Sequence, residues 1–533
     1  MSASVGGISL NLDQSDREFN PWIIALTVTV STFMEVLDTS IANLSLPHIA
    51  GSMAATYDEA TWVLTSYLVS NAVVLPLSGW VTGVMGRKRF NMTCVAVFTI
   101  SSMLCGMATS LPMLIFFRIL QGIGGGGLQP SVQAILLDTF PLAKRGMAMA
   151  VYSIAVLVAP VLGPTLGGWI TDSYSWRWIF YINLPVGVIS LLLTQIVLRD
   201  PPYMIAQRAA QRGKPRRVDF IGLGLVAIGL STLEMVLDKG QEVDWFSSRF
   251  ILSLSIIAGT SLVAAVIWEL CQKSPIVNVR LFGERNFMLC CVICFGVYAT
   301  LYATTVLLPQ MLQTLMGYSA TEAGLVLSPA ALVTMLEMPI IGILLSRGVD
   351  ARKMIACGLL ITAGAAMWMS RLNLQVSEAD VIWPRVVQVL GAGLMFVPIN
   401  TIAYRFIPKT ETNNASGLFS LVRNEGGSIG VALVTTLLAR HTQMRQASLV
   451  GHVNLLNPIA VDMLHRASAL FGPADPTGGR GALALVYALV QQQAAILSYM
   501  DLFQIFAGVT LLVVPLVLFM RGGVITRDAI VAH

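Results

Sequence analysis

The chain has 533 residues, of which 55% are hydrophobic and only 11% are charged, and its formal net charge is +5. A soluble domain is about one quarter charged, so this composition excludes a series of soluble domains and an intrinsically disordered chain. So small a net charge excludes a basic nucleic-acid-binding surface. The seven cysteines lie mostly within apolar runs, which excludes a disulfide scaffold. The sequence therefore predicts an integral membrane protein with many spans.

Apolar runs of about 20 residues, the length that crosses a bilayer, predict fourteen helices. The first eight lie near 22–46, 62–85, 91–110, 113–137, 146–170, 178–198, 218–238 and 250–270. The last six lie near 286–310, 322–346, 353–371, 381–404, 415–440 and 499–520. The first 21 residues are polar and lack an apolar signal-peptide core, so the first run is predicted to be a retained helix.

Basic residues favour one side of the predicted membrane. About two thirds of the Lys and Arg residues fall in the two tails and in one set of alternate loops, a bias that marks the cytoplasmic side. Both tails, 1–21 and 521–533, are therefore predicted to be cytoplasmic. The longest non-membrane segment, 441–498, is predicted to lie on the outer side. It is expected to be partly helical, with two amphipathic pieces around a Gly/Pro-rich break.

Charged side chains within predicted spans are the strongest functional signal, since each one costs free energy in a bilayer. Glu35 and Asp38 lie on one face of the first helix, and Arg118 lies in the fourth. Four others lie in later helices: Glu337, Arg385, Arg423 and Glu425. Such a set suits a proton-coupled carrier, but an unpaired carboxylate would also attract a cationic substrate, and some of these groups could form structural ion pairs. Three further carboxylates lie near predicted helix ends and are expected at the membrane interface: Glu234, Asp238 and Glu269.

Four motifs follow one another along the first five predicted helices. They are LDTSIANLSLP at 37–47, GWVTGVMGRK at 79–88, RILQGIGGGG at 118–127 and APVLGPTLGG at 159–168. In the last motif the spacing of Gly163 and Gly167 permits close helix approach. Pro164 between them removes one backbone hydrogen bond and bends the helix. A GxxxG pair alone mostly indicates packing, so the specific signal is the combination.

Together the four motifs resemble those of the major facilitator superfamily, and more narrowly those of its fourteen-helix drug:proton antiporters of the EmrB/QacA type. Four further stretches are similar to EmrB-like proteins: 176–187, 237–248, 274–287 and 426–430. The resemblance covers nearly the whole chain. It implies an all-α membrane protein with one six-helix bundle over 22–198 and a second over 286–520. Between them, 199–285 would form a cytoplasmic connection and two extra membrane helices, and the substrate site would lie between the bundles near the midplane.

The charges within the spans and the resemblance together predict roles for individual residues. Those expected in proton coupling are Asp38, Arg118, Glu35, Glu337 and Glu425. Those expected to line the substrate cavity are Asp38, Asn43, Gln121, Glu337, Asn400 and Arg423. The motif typical of antiporters comprises Pro160, Gly163, Pro164, Gly167 and Gly168. The cytoplasmic gating loop comprises Gly79, Gly86, Arg87 and Lys88.

Two positions depart from the family pattern. Gly83 stands where the gating motif usually has an aspartate, which is expected to leave Arg87 and Lys88 to act alone. Glu425 stands where a neutral residue is expected. It is interpreted either as a second protonatable or substrate-facing group, or as a local partner of Arg423.

The implied function is proton-driven export of hydrophobic toxic compounds across a bacterial inner membrane. The outer segment implies a periplasmic adaptor and an outer-membrane channel as partners. Alternatives are an exporter of one metabolite, such as a siderophore or fatty acid, and a proton-linked importer, which the antiporter-type motif disfavours. No HExxH, Walker loop, GxSxG or paired-histidine motif occurs, so the sequence predicts neither enzyme activity nor a metal or cofactor.

Overall fold

The computed structural model describes residues 19–141, 144–210, 219–272, 275–454, 456–471 and 480–521, without the side chains of residues 44, 161, 164, 207, 210, 320 and 471. Helices form the regular structure of this part of the chain. In the first half they are α1 Pro21–Leu44, α2 Leu46–Ser52, α3 Tyr57–Ala60, α4 Trp62–Met85, α5 Arg87–Met107, α6 Leu111–Gly125, α7 Leu128–Thr139, α8 Arg145–Ser173, α9 Trp178–Tyr181 and α10 Asn183–Val197. The connection contains α11 Pro202–Ala210, α12 Phe220–Lys239 and α13 Arg249–Cys271.

The second half of the chain contains seven further helices in the described residues. They are α14 Arg285–Leu315, α15 Ala320–Ser346, α16 Ala351–Met369, α17 Glu378–Ala403, α18 Thr412–Val450, α19 Pro458–Phe471 and α20 Arg480–Val513. Each of the fourteen predicted spans coincides with a helix. The fourth is divided between α6 and α7, and the sixth between α9 and α10. The all-helical fold class is therefore confirmed.

Length and composition qualify most of these helices as membrane spans. Eleven spans in the described residues are long and apolar enough, and α8, which bends by 47° between Pro160 and Thr165, makes twelve. The remaining two predicted spans form helices but fall short of that apolarity. One is α16, which begins with basic residues, and the other is α18, which carries buried polar groups. The count of fourteen spans stays a prediction for these two helices.

Packing groups the long helices into two sets. In the first set α1 contacts α8 and α10, and α6 contacts α4 and α5; in the second set α14 contacts α18, and α16 contacts α17 and α20. The sets meet where α8 packs against α15 and α17 and where α18 packs against α4 and α7. Between them, α12 and α13 pack together, with α12 against α4. At the α4–α18 seam a Cβ atom at Gly79 would lie 2.4 Å from the side chain of Asn414. Only glycine therefore permits this approach of the two helices.

The structure corrects the predicted ends of the two helices that flank segment 441–498. Instead of separate amphipathic pieces over 441–498, α18 continues without a break to Val450 and the last long helix begins at Arg480 rather than near 499. The extensions are held by contacts between helices. Arg445 donates to Asp501 at 2.7 Å, and Gln446 donates to the hydroxyl of Tyr487 at 2.8 Å. We call residues 441–454, 456–471 and 480–498 the outer arm.

Candidate functional site

A buried ion pair joins the first and fourth predicted spans. Arg118 of α6 donates through Nη1 to Asp38 of α1 at 2.8 Å, and both side chains are inaccessible to solvent. The same nitrogen donates to Gln121 at 2.8 Å, and the amide of Gln121 donates to the second oxygen of Asp38 at 2.9 Å. The amide of Asn183 also donates to that oxygen, at 2.6 Å. The carboxylate of Asp38 is thus saturated with donors, which is how a protein holds a buried negative charge.

A second carboxylate on α1 connects this pair to the other half of the protein. Glu35 lies one turn before Asp38 and accepts from Gln129 of α7 at 2.7 Å. The carbonyl oxygen of Gln129 accepts from Arg423 of α18, which also donates to the hydroxyl of Tyr152 at 2.8 Å. Hydrogen bonds therefore run from a carboxylate of the first half to an arginine of the second.

One aromatic side chain touches both carboxylate networks. The ring of Tyr67 lies 4.4 Å from the guanidinium carbon of Arg118, and its hydroxyl donates to Glu35 at 3.3 Å. Tyr67 is 1% exposed, so its hydroxyl has this buried carboxylate rather than solvent as a partner. A change in the charge of Asp38 or of Glu35 would consequently change the electrostatic environment of the other carboxylate's partners.

The antiporter-type motif packs α8 directly onto the helix that carries Asp38. A Cβ atom at Gly163 would lie 2.2 Å from the hydroxyl of Ser40, and one at Gly167 would lie 2.9 Å from Ile41. The Ser40 hydroxyl donates to the backbone oxygen of Pro160 at 3.1 Å. Gly168 is buried in the same helix, and the side chain of Pro164 lies outside the described residues. The small residues of this motif thus fix how closely α8 approaches the Asp38 helix.

Arg87 of the predicted cytoplasmic gating loop has charged and polar partners that the sequence did not predict. Arg87 forms an ion pair with Asp138 of α7, donates to Tyr203 of α11 at 3.1 Å, and donates to Asn413 of α18 at 3.0 Å. Burial raises the pKa of Tyr203, so its hydroxyl keeps the proton that it donates to Asp138. The expectation that Arg87 acts alone is wrong, because Asp138 supplies the acid that is missing at Gly83.

The other two residues of this motif complete the same junction. Lys88 donates through its backbone nitrogen to Asp200 at 2.9 Å and through Nζ to the backbone oxygen of Gln195 at 2.6 Å, so it too has partners. Gly86 separates α4 from α5 with a φ of 89°, a left-handed conformation that favours glycine. A cavity of about 590 Å³, lined by Arg87, Asp138, Arg145 and Tyr203 among others, opens beside this junction.

Glu425 is not the partner of Arg423. Its carboxyl group interacts with that of Glu234 on α12, and Ser428 donates to Glu234 at 3.1 Å. Both oxygens of Glu425 lack a conventional hydrogen-bond partner within the described residues. Glu234 is only 3% exposed, because α12 packs against α4 and α18 and carries this side chain inward. Its interfacial position stays a prediction.

The remaining predicted site residues lie in different surroundings. Glu337 of α15 is buried against α17, where a Cβ atom at Gly393 would lie 2.5 Å from its carboxylate. Asn400 of α17 accepts from Gln133 of α7 at 3.2 Å and so joins the two halves. Asn43 is exposed near the end of α1, apart from the Asp38 network.

We expect Arg423→Gln to weaken the contact between the two halves of the protein where α18 meets α7 and α8. The substitution removes the cation that bridges Gln129 and Tyr152. A hydrogen bond to a charged group contributes about 1.5–3 kcal/mol, which corresponds to a tenfold or larger shift in a conformational equilibrium. The measurement is the rate of maleimide labelling of buried Cys294, in a variant that keeps only this cysteine. Labelling should accelerate about tenfold, while Arg347→Gln, at an exposed position, should leave it unchanged. Equal rates would contradict the bridging role.

Two packed sets of apolar helices, with buried ion pairs inside the first set and hydrogen-bonded polar groups between the sets, are typical of a polytopic membrane transporter. The sequence model described as Major Facilitator Superfamily matches residues 28–431. The chain belongs to this superfamily and, within it, to the EmrB-like type. Its relatives are transporters, so the expectation that the protein is not an enzyme is confirmed.

Two curated relatives and one solved structure illustrate this relationship. The multidrug export protein EmrB of Escherichia coli (strain K12) is 36% identical over 500 residues, which cover 94% of this chain and 95% of the relative. The fatty acid resistance protein FarB of Neisseria gonorrhoeae is 34% identical, with 93% and 95% covered. The structure of the proton:xylose symporter XylE superposes with a TM-score of 0.58 at 13% identity, covering 94% of this chain and 96% of that one, which shows the shared fold.

Proposed function

We propose that this protein is a proton-driven antiporter that exports hydrophobic drugs or other toxic compounds across the bacterial inner membrane, with both termini in the cytoplasm. The observation that carries the proposal is the Asp38 network. The buried carboxylate of Asp38 pairs with Arg118, and the antiporter-type motif of α8 packs against α1, the helix that carries Asp38. The names of the relatives point to the same cargo, since EmrB is a multidrug export protein.

In the proposed mechanism, proton binding is coupled to movement of the two halves through the partners of the Asp38 and Glu35 carboxylates. Protonation of Asp38 removes the charge that pairs with Arg118, and protonation of Glu35 weakens the acceptor for Gln129. Through Arg423 this second change reaches the contact between the two halves. A proton would therefore favour one arrangement of the halves over the other, and a ligand shifts an equilibrium only through such a difference. Glu425 with Glu234, and Glu337, are further proton-binding groups in this proposal.

Export of one self-made metabolite is the second candidate function. The relative FarB is named for fatty acid resistance, which supports a fatty acid as the single exported compound. A proton-linked importer has less support, because the close packing of Gly163 on Ser40 belongs to the motif associated with antiporters.

Expression in a strain without its own pumps tests the function. The protein should raise resistance to some members of a panel of hydrophobic drugs, dyes and fatty acids. In inside-out vesicles that hold a proton gradient, adding an exported compound should dissipate part of that gradient. Resistance without any compound-dependent proton movement would contradict proton coupling, and protection against a single compound would favour the dedicated exporter.

The outer arm is the proposed docking site for a periplasmic adaptor that leads to an outer-membrane channel. Several large apolar side chains of the arm point into solvent, including Leu456 at 93% exposure, Ile459 at 77% and Leu470 at 78%. Exposed apolar side chains, where they form a patch, mark protein or membrane contacts. Within the arm, α19 and α20 pack around Ala467, Ala482 and Val486, a contact that holds these two helices together.

We expect that shortening 445–490, or replacing Leu456 and Ile459 together by glutamine, abolishes capture of a co-expressed adaptor while the pump stays in the membrane. Burial of apolar surface is the expected driving force. The matched control is Arg466→Gln, which breaks an exposed ion pair with Asp462 on the same helix without changing the apolar surface. Pull-down of the adaptor with the tagged pump is the measurement. Undiminished capture by the shortened chain would count against the arm as the docking site.

A further inference from the structure

We infer that Arg385 of α17 forms the subsite that binds the carboxylate of an amphiphilic aromatic or aliphatic substrate. This inference rests on the proposed export function and names a substrate class for it. The carboxylates in the spans, considered alone, would instead favour cationic substrates.

A comparison of the charge partners of the buried arginines singles out Arg385. The guanidinium of Arg118 pairs with Asp38, and that of Arg87 pairs with Asp138. Arg423 also donates directly only to neutral groups in the described part of the chain, Gln129 and Tyr152, but Gln129 in turn donates to the carboxylate of Glu35. Arg385 is 4% exposed and has only neutral partners among the described residues. A buried charge is costly unless it is paired and hydrogen-bonded.

The contacts of Arg385 leave room for an anion. Its Nη1 donates to Gln388 at 2.6 Å and to the hydroxyl of Thr304 at 3.2 Å, and Nη2 donates to Thr305 at 2.9 Å. Its Nε has no partner within the described residues. Gly393, the residue of α17 that packs against the carboxylate of Glu337 on α15, lies about two helical turns beyond Arg385, a rise of roughly 12 Å along the helix. Arg385 thus keeps an unused donor and has no acid in hydrogen-bonding reach among the described residues.

The first half of the protein shows what such an arrangement binds. Arg118 and Gln121 have the same three-residue spacing as Arg385 and Gln388, and each arginine donates to its glutamine. In the first half the carboxylate of Asp38 completes the set. In the second half two threonine hydroxyls contact the arginine instead. The same donor geometry therefore lacks a resident carboxylate, and a substrate carboxylate supplies the matching charge.

Arg385 also faces a cavity between the two halves. This cavity has a volume of about 40 Å³ and is lined on one side by Pro160 and Val156 of α8 and on the other by Arg385, Tyr298 and Tyr302. A volume of this size holds about one water molecule, so a substrate enters only when the halves move apart. Aromatic and aliphatic walls with one guanidinium recognise an apolar body that ends in a planar anion, because a guanidinium binds carboxylates in a bidentate manner.

Three aromatic probes of equal size and different charge test the subsite. Naphthoate, naphthamide and naphthylmethylammonium would be titrated into the purified full-length protein, and binding would be followed by isothermal titration calorimetry. We expect the wild type to prefer naphthoate. Arg385→Gln should weaken naphthoate binding about tenfold or more, the effect of losing a charged hydrogen bond. It should leave naphthamide binding unchanged. Arg385→Lys should retain part of the preference, and Arg347→Gln, at an exposed arginine, should retain all of it.

Equal binding of naphthoate and naphthamide by the wild type, or an unchanged preference in Arg385→Gln, would overturn the inference. A loss of all binding in Arg385→Gln together with a lower melting temperature would indicate misfolding, and Arg385→Lys then decides. If Arg385→Lys keeps the preference for naphthoate, the subsite is supported. If it is folded and has lost that preference, the inference is overturned. Because binding is measured without a proton gradient, the result does not depend on transport. Arg385-dependent binding without proton-driven flux would contradict the proposed function and leave the subsite standing.

Discussion

Asp38→Asn is expected to abolish proton-driven export while the protein still reaches the membrane. Asparagine fills the same space but cannot lose a proton, and it leaves the guanidinium of Arg118 buried without its counter-charge. Breaking a buried pair in this way costs about 3–5 kcal/mol. The amide oxygen of the new side chain can still accept one of the hydrogen bonds that Asp38 accepts from Gln121 and Asn183, which limits the loss.

The measurement is drug accumulation in energised cells, with the amount of membrane-inserted protein determined in parallel. The matched control is Asp172→Asn, at an exposed aspartate near the end of the α8 helix, and it should export like the wild type. Export by Asp38→Asn at the wild-type rate would remove Asp38 from the coupling mechanism. A downhill exchange of drug that survives in Asp38→Asn would locate the defect in proton coupling rather than in substrate binding.

The positions of the helices could be predicted from the sequence because the bilayer imposes a length of about 20 apolar residues. The same criterion explains where the boundaries were wrong. The last long helix continues beyond the predicted span at its N-terminal end, from Arg480, and α18 continues to Val450. A membrane criterion ends a helix where the lipid ends, whereas these helices are stabilised further by contacts such as Arg445 with Asp501.

Charged members of the site could be predicted, since a charge in a span is conspicuous, but their partners could not. Gln129, which links Glu35 to Arg423, and Tyr152, which accepts from Arg423, are polar residue types that also occur in ordinary helix packing. Asp138 lies just past the end of a predicted span, so its pairing with Arg87 depends on how α5 and α7 meet. Which acid faces which arginine is decided by packing between distant helices, and hydrophobic periodicity contains no information on that.

Arg118→Ala is expected to have the largest effect on both stability and export. It leaves Asp38 as an unpaired buried carboxylate. It also removes the hydrogen bond that Nε donates to the backbone oxygen of Val63 at 3.1 Å, and the stacking of the guanidinium on Tyr67. We expect the free energy of unfolding to fall by about 3–5 kcal/mol and export to be lost. Arg118→Lys keeps the charge but has a single ammonium group in place of the guanidinium fork. It should recover only part of the stability and of the transport.

The double variant Arg118→Gln with Asp38→Asn separates the structural contribution of this pair from its role in coupling. Removing both charges together leaves no unpaired buried charge, which is the main cost of breaking such a pair, so its melting temperature in detergent should approach that of the wild type. Export should remain absent, because no group at position 38 can then bind and release a proton. If the double variant regained proton-driven export together with stability, the pair would be a structural clamp. Coupling would then have to depend on Glu35, which accepts from Gln129 and through it contacts Arg423.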